Sequence, residues 1–116
     1  MTFYRICCML CHMTDKAVVR GIALKYADEV KKVLNPNAVI LFGSYVNGNP
    51  HEWSDIDIAV VVNDFKGNWL ETASMLCGLS WDISLDIEPH LLDQTCDKSG
   101  FVDHVLKTGE VIYASS

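Results

Sequence analysis

Long hydrophobic runs are missing from this chain of 116 residues: no apolar stretch approaches the roughly 18 that a membrane span requires. The N-terminus also lacks an apolar core ending in a small-residue cleavage site. A membrane protein and an exported one are both disfavoured, and a cytoplasmic location is expected. Basic excess is missing too. Nine Lys and Arg stand against 15 Asp and Glu, a net charge of −6, so a long nucleic-acid backbone is not the expected partner. Small anions would need a metal or local donors. A disulfide framework is not expected either, because the five cysteines are an odd number with Cys7, Cys8 and Cys11 crowded into "CCMLCH". There is no internal repeat, low-complexity tract or linker.

What is present is apolar content of 50% against 21% charged, too apolar for disorder and enough for one core. A single domain of this size can lean on a partner or on a copy of itself. Cys8-Met9-Leu10-Cys11-His12 has the spacing of c-type haem attachment, and three thiols with His12 could supply four zinc ligands. Adjacent cysteines suit a tetrahedral site poorly, no second pair follows, and the chain from Met13 looks like an ordinary protein start. Residues 1–12 are therefore read as an extension without catalytic role, and 13–116 as the functional domain.

Apolar residues recur at helical spacing from Asp15 to Leu34, with Val18, Ile22, Tyr26, Val30 and Val33 near one face and Thr14 as N-cap. After the breaker Asn35-Pro36-Asn37, "AVILF" (Ala38 to Phe42) is a short apolar run expected of a strand buried on both faces and ended by Gly43-Ser44. "DIDIAVVV" (Asp55 to Val62) is a second strand by its β-branched content. Trp69, Leu70, Ala73, Leu76 and Cys77 lie at helical spacing. The alternating "ISLDIE" (Ile83 to Glu88) predicts a third strand stopped by Pro89. Ser99 can cap a helix carrying Phe101, Val102, Val105 and Leu106, which Gly109 closes before a short strand at Val111-Ile112-Tyr113. Interleaved helices and strands predict an α/β (α+β) fold, a small mixed sheet flanked by helices. Cys77 and Cys96 are read as packing residues, and Trp69, Trp81 and Tyr113 as core or interface.

Alternation along the second strand points Asp55 and Asp57 to one face, about 7 Å apart, with Ile56 and Ile58 on the other. Two carboxylates in one space repel each other unless a cation neutralises them, and oxygen ligands favour a hard ion such as Mg²⁺. On the third strand Asp86 and Glu88 share a face, so either can be a third acid if the strands are neighbours. Gly43 lets the backbone approach a ligand closely, and Ser44 adds a donor for phosphate. His51 and His90 read as solvated, and Trp53 as a packing residue with stacking on a base as the alternative.

"FGS", ten intervening residues and then "DID" resemble the signature of the DNA polymerase beta-like nucleotidyltransferase superfamily, in its minimal nucleotidyltransferase branch. The resemblance runs from about Asp15 to Tyr113 and includes "SLDIEP" and "FVDHVLKTGEVIY". It implies that Gly43 and Ser44 engage a nucleoside triphosphate, that Asp55 and Asp57 bind divalent metal, and that Asp86, rather than Glu88, completes a two-metal Mg²⁺ site and helps deprotonate the acceptor hydroxyl. The implied activity is transfer of NMP, foremost AMP from ATP. The implied partner is a helical HEPN-type toxin, for which such proteins act as antitoxins. The chain departs from the family at Asn47, where "GSYVNG" replaces a "GSYARG" pattern. An amide can hydrogen-bond phosphate but brings neither charge nor a bidentate fork. Lys66 or an arginine from the partner is the candidate replacement. The alternative function is an antitoxin that neutralises its partner by contact with weak or no catalysis, and the third is a metal or haem module built on "CCMLCH".

Overall fold

The computed structural model describes residues 16–43, 56–84 and 86–115. Thr14, Ser44, Asn47, His51, Trp53, Asp55 and the cluster Cys7, Cys8, Cys11 and His12 lie outside the described residues.

Helix α1 (Lys16–Val33) buries Val19, Ala23, Tyr26, Ala27 and Val30 against the sheet. The expected stripe is turned by about one position, since Val18 and Val33 are 42% and 46% exposed. Ala23 and Ala27 are the cause. Their small side chains let the helix lie close to the strands, which a pattern drawn from large apolar residues overlooks. Tyr26 fixes the rotation, because its buried hydroxyl donates to the Leu76 carbonyl at 2.8 Å. Burial pushes that hydroxyl's pKa well up, so it stays a donor.

Strand β1 (Ala38–Phe42) matches its predicted span, and β2 (Ile56–Val62) pairs with it antiparallel. Helix α2 (Trp69–Trp81) starts at Asn68, whose side chain accepts from the Glu71 N–H at 2.9 Å. It buries Leu76 and Ser80, whereas Leu70 and Trp81 are 75% and 71% exposed. Cys77 and Cys96 are free and exposed, which corrects their reading as packing residues, and Trp81 is not a core residue of this chain.

Strand β3 (Ile87–Asp93) begins later and runs further than alternation predicted, passing through Pro89. The sheet order β3-β2-β1-β4 explains the difference: β3 is an edge, where a residue without an N–H can be accommodated. β3 is parallel to β2, α3 (Phe101–Thr108) follows, and β4 (Glu110–Ala114) closes the other edge antiparallel to β1. The fold is thus the expected mixed sheet with helices. The Asp97 carboxylate caps α3 by accepting from the Val102 and Asp103 N–H groups at 3.0 Å each, and Ser99 Oγ accepts more weakly from Phe101 N–H at 3.3 Å. Among the described residues no helix is long and apolar enough to cross a membrane.

β1 and β2 are apolar on both sides because both sides are covered. Val39, Leu41, Ile56, Ile58, Val60 and Val62 face α1 and α2, while Ala38, Ile40, Ala59 and Val61 face Val102 and Val105 of α3. Gly109 sits where α3 turns onto β1, and a Cβ there would lie 2.5 Å from Ile40 Cγ2 and 2.8 Å from the Val105 carbonyl. Gly109→Ala is therefore expected to lower stability by about 1–3 kcal/mol, seen as a lower midpoint in urea with an unchanged slope.

The far end of the sheet is tied by Asp93. Its carboxylate accepts from Thr95 Oγ1 at 2.6 Å, from Phe65 N–H at 2.9 Å and from Thr95 N–H at 2.9 Å, with Asp64 N–H at 3.2 Å. The Thr95 hydroxyl bond, followed by the backbone donors, pulls its pKa down to about 2. A depressed carboxylate stabilises the fold above its ordinary pKa of about 4, and that contribution disappears as pH falls through about 2. Thermal melts from pH 5 to 2 should lose Tm less steeply for Asp93→Asn than for the wild type, after starting lower.

Candidate active site

The register of the sheet assembles the acidic end. Asp57 pairs with Phe42 of β1 on one side and with Glu88 of β3 on the other, and Ala59 pairs with His90. Ile56 and Ile58 point into the α1 side, so Asp57 takes the opposite face, the one α3 covers. Paired residues of neighbouring strands share a face, which brings Phe42, Asp57, Glu88 and His90 together. One oxygen from each of Asp57 and Glu88 and one ring nitrogen of His90 all lie within 4.8 Å of one another.

Asp57 is held from two directions. Its Oδ1 is 3.4 Å from His90 Nε2, with the two side chains 26% and 32% exposed. Its Oδ2 lies 2.3 Å from where a Cβ on Gly43 would sit. Gly43 also has φ +89, a left-handed backbone that side chains rarely adopt. The glycine that ends β1 is thus required twice, for its conformation and for room beside the carboxylate. His90 is oriented in turn by aromatic edges: its ring meets Phe42 at 5.3 Å between centroids, and Phe42 meets Phe101 at the start of α3 at 5.9 Å.

Of the residues named from sequence, the structure brings Gly43 and Asp57 together and sets Glu88 beside Asp57. Asp86 precedes β3 in a turn and is buried at 3% exposure. Its carbonyl accepts from the Ile56 N–H at 2.7 Å, which joins the start of β2 to the approach of β3, and its own N–H donates to Ser84 Oγ at 3.2 Å. Asp86 and Glu88 are therefore not two positions of one regular strand, as the alternation had it. Ser44, Asn47 and Asp55 lie outside the described residues. Lys66 is not brought to the cluster: it follows the far end of β2 and pairs with Asp64 at 3.4 Å.

His90, read from the sequence as a solvated residue after the strand, lies instead within β3 and half-buried beside Asp57. The signal was present as Glu88-x-His90, two residues apart on one face, but only a strand that continues through Pro89 reveals it. A concave surface alone would have misled, since a cleft of about 420 Å³ among Phe65, Trp69, Leu91 and Phe101 is lined by none of Gly43, Asp57, Glu88 and His90.

Two carboxylates and an imidazole at these separations are a donor set that fits a divalent cation, and they have no use as an apolar core. A cation held there would lie beside the end of β1, where the missing side chain of Gly43 leaves the space that Asp57 Oδ2 occupies.

The chain superposes on a protein of Sulfolobus solfataricus assigned as a nucleotidyltransferase with a TM-score of 0.63 and 24% identity, covering 85% of this chain and 83% of that one, a likeness of fold. A chain from a structure of a toxin–antitoxin with AMP-PNP gives a TM-score of 0.59 and 25% identity, with 84% and 74% covered. A chain from a point mutant of the toxin–antitoxin MntA-HpeT gives 0.58 and 26%, with 79% and 72% covered. No curated protein matches at a significant level. Residues 25–116, from within α1 to the end of the chain, match the family described as polymerase beta, nucleotidyltransferase. With a glycine and an aspartate packed together at the acidic end of a mixed sheet, the chain belongs to the polymerase beta-like nucleotidyltransferases.

Proposed function

We propose that this chain transfers AMP from ATP to a hydroxyl of a helical HEPN-type toxin and so acts as its antitoxin. The observation that carries the reading is the packing of Gly43 against Asp57 beside Glu88 and His90, in a chain of this family. The toxin–antitoxin neighbours, one with AMP-PNP, support the choice of ATP and of a protein partner.

In this reading the acceptor oxygen attacks the α-phosphorus, the bond from that phosphorus to the bridging oxygen breaks, and pyrophosphate leaves with the electron pair. Gly43 gives the triphosphate room at the end of β1, and the Ser44 hydroxyl and Asn47 amide donate hydrogen bonds to phosphate oxygens. Asp55, Asp57 and Asp86 hold Mg²⁺, which when bound neutralises phosphate charge and stabilises the attacking and leaving oxygens. Asp86 also draws off the proton of the acceptor hydroxyl. Its burial, and the bond from the Ile56 N–H to its carbonyl that ties it to the start of β2, support this role.

The test uses the purified chain, a HEPN-type toxin and Mg²⁺ with ATP labelled at either the α- or the γ-phosphorus. Label on the toxin from α only is expected, and label from γ, or none, contradicts the proposal. A second reading, neutralisation by contact, is favoured by Asn47 standing where the family frequently has a basic residue. It predicts that Asp57→Asn still silences the toxin, whereas transfer predicts that it does not. A chain beginning at Met13 is expected to transfer AMP at the full rate. A large loss would return Cys7, Cys8, Cys11 and His12 to the functional candidates.

A further inference from the structure

The imidazole in the cluster carries a consequence for which metal the site prefers. Carboxylates and water suit Mg²⁺, whereas imidazole suits transition metals, and Mn²⁺ accepts both kinds of donor. In an octahedral site with bonds of about 2.1 Å, neighbouring donors stand about 3 Å apart and opposite donors about 4.2 Å apart. His90 Nε2 and Asp57 Oδ1, at 3.4 Å, are spaced as neighbours in such a shell, and the limit of 4.8 Å for the whole set leaves only small side-chain rotations to close it. The same 3.4 Å is long for a hydrogen bond between an imidazole and a carboxylate, so the pair is not optimised for contact with each other.

The surroundings place Asp57 and His90 against each other. Asp57 Oδ2 occupies the space that Gly43 leaves at the end of β1. The His90 ring is set by the edge of Phe42, which Phe101 backs from α3. Glu88 stands at the register position opposite Asp57 on a parallel strand, so its carboxylate approaches from the same face. A histidine needed only for packing against Phe42 would not have to present Nε2 to a carboxylate.

We infer that His90, with Asp57 and Glu88, forms a mixed nitrogen and oxygen site that selects Mn²⁺ over Mg²⁺. The inference rests on the reading of Asp57 as a metal ligand and adds His90 as the residue that sets metal specificity.

The test is binding of Mn²⁺ alone, and of Mg²⁺ alone, to the full chain without nucleotide, by calorimetry and by pulsed electron paramagnetic resonance. The wild type should show nitrogen modulation on bound Mn²⁺. In His90→Ala that modulation should vanish and Mn²⁺ affinity should fall by roughly tenfold or more, while Mg²⁺ affinity changes by less than about twofold. His90→Gln, which fills more of the space beside Phe42, should lose the nitrogen signal as well, and circular dichroism shows whether either variant remains folded. Mn²⁺ bound without a nitrogen signal in the wild type, or equal losses for both metals in folded His90 variants, overturns the inference. Asp57→Asn separates the two ideas. If it abolishes binding of both metals while the His90 variants bind both as the wild type does, the metal site stands and the histidine's role falls. If Asp57→Asn binds both metals unchanged, the underlying reading falls with it.

Discussion

Gly43→Ala is expected to lower AMP transfer by about 10²–10³-fold at a stability cost of only about 1–3 kcal/mol. The new Cβ would sit 2.3 Å from Asp57 Oδ2 and 3.2 Å from its Cγ, so the carboxylate must leave its position for the methyl group to fit. The φ of +89 adds strain whatever the carboxylate does. Because the damage passes through Asp57, it should not add to damage at Asp57 itself: in Asp57→Asn the further change Gly43→Ala should cost little more activity. Stopped-time assays with α-labelled ATP on the two single variants and the double variant measure this. Independent, additive losses would show that Gly43 does not act by giving room to Asp57.

Asp57→Asn should have the largest effect, a loss of about 10³-fold or more, since an amide keeps the shape but not the charge that holds a cation. Stability should move the other way or not at all. Asp57 and Glu88 are like charges at paired positions on one face, and removing one relieves repulsion. A Tm equal to or above that of the wild type, together with lost transfer, marks a residue kept for chemistry at the expense of the fold. A variant that is both unstable and inactive would instead make Asp57 a structural residue.

The parts of the site readable from sequence were those that depend on one strand and its neighbouring turn. Asp57 between Ile56 and Ile58 declares its face by alternation, and Gly43 after five apolar residues marks a strand end where backbone must be exposed. Their contact needs the antiparallel pairing of β1 with β2, which the spacing of the residues did not give. The place of His90 within a strand was not readable because Pro89 reads as a strand stop unless β3 is known to be an edge, and edge position is a property of the whole sheet. For the same reason Ile83 to Glu88 looked like a strand, although its alternating pattern belongs partly to the turn that buries Asp86. The rotation of α1 was hidden in Ala23 and Ala27, which count as weakly apolar but are buried beside Tyr26 and Val30. Cys77 read as a packing residue and Trp81 as core or interface, and their exposure follows from which side of α2 meets α1 at Tyr26 and Leu76.

The central claim is that the Gly43 and Asp57 corner is a metal and nucleotide site. Calorimetric titration of the purified chain with ATP, with and without Mg²⁺, and of Asp57→Asn in parallel, tests it most directly. The account predicts ATP binding that requires the metal and disappears in Asp57→Asn. ATP binding of equal strength in both proteins, or independent of the metal, would contradict it.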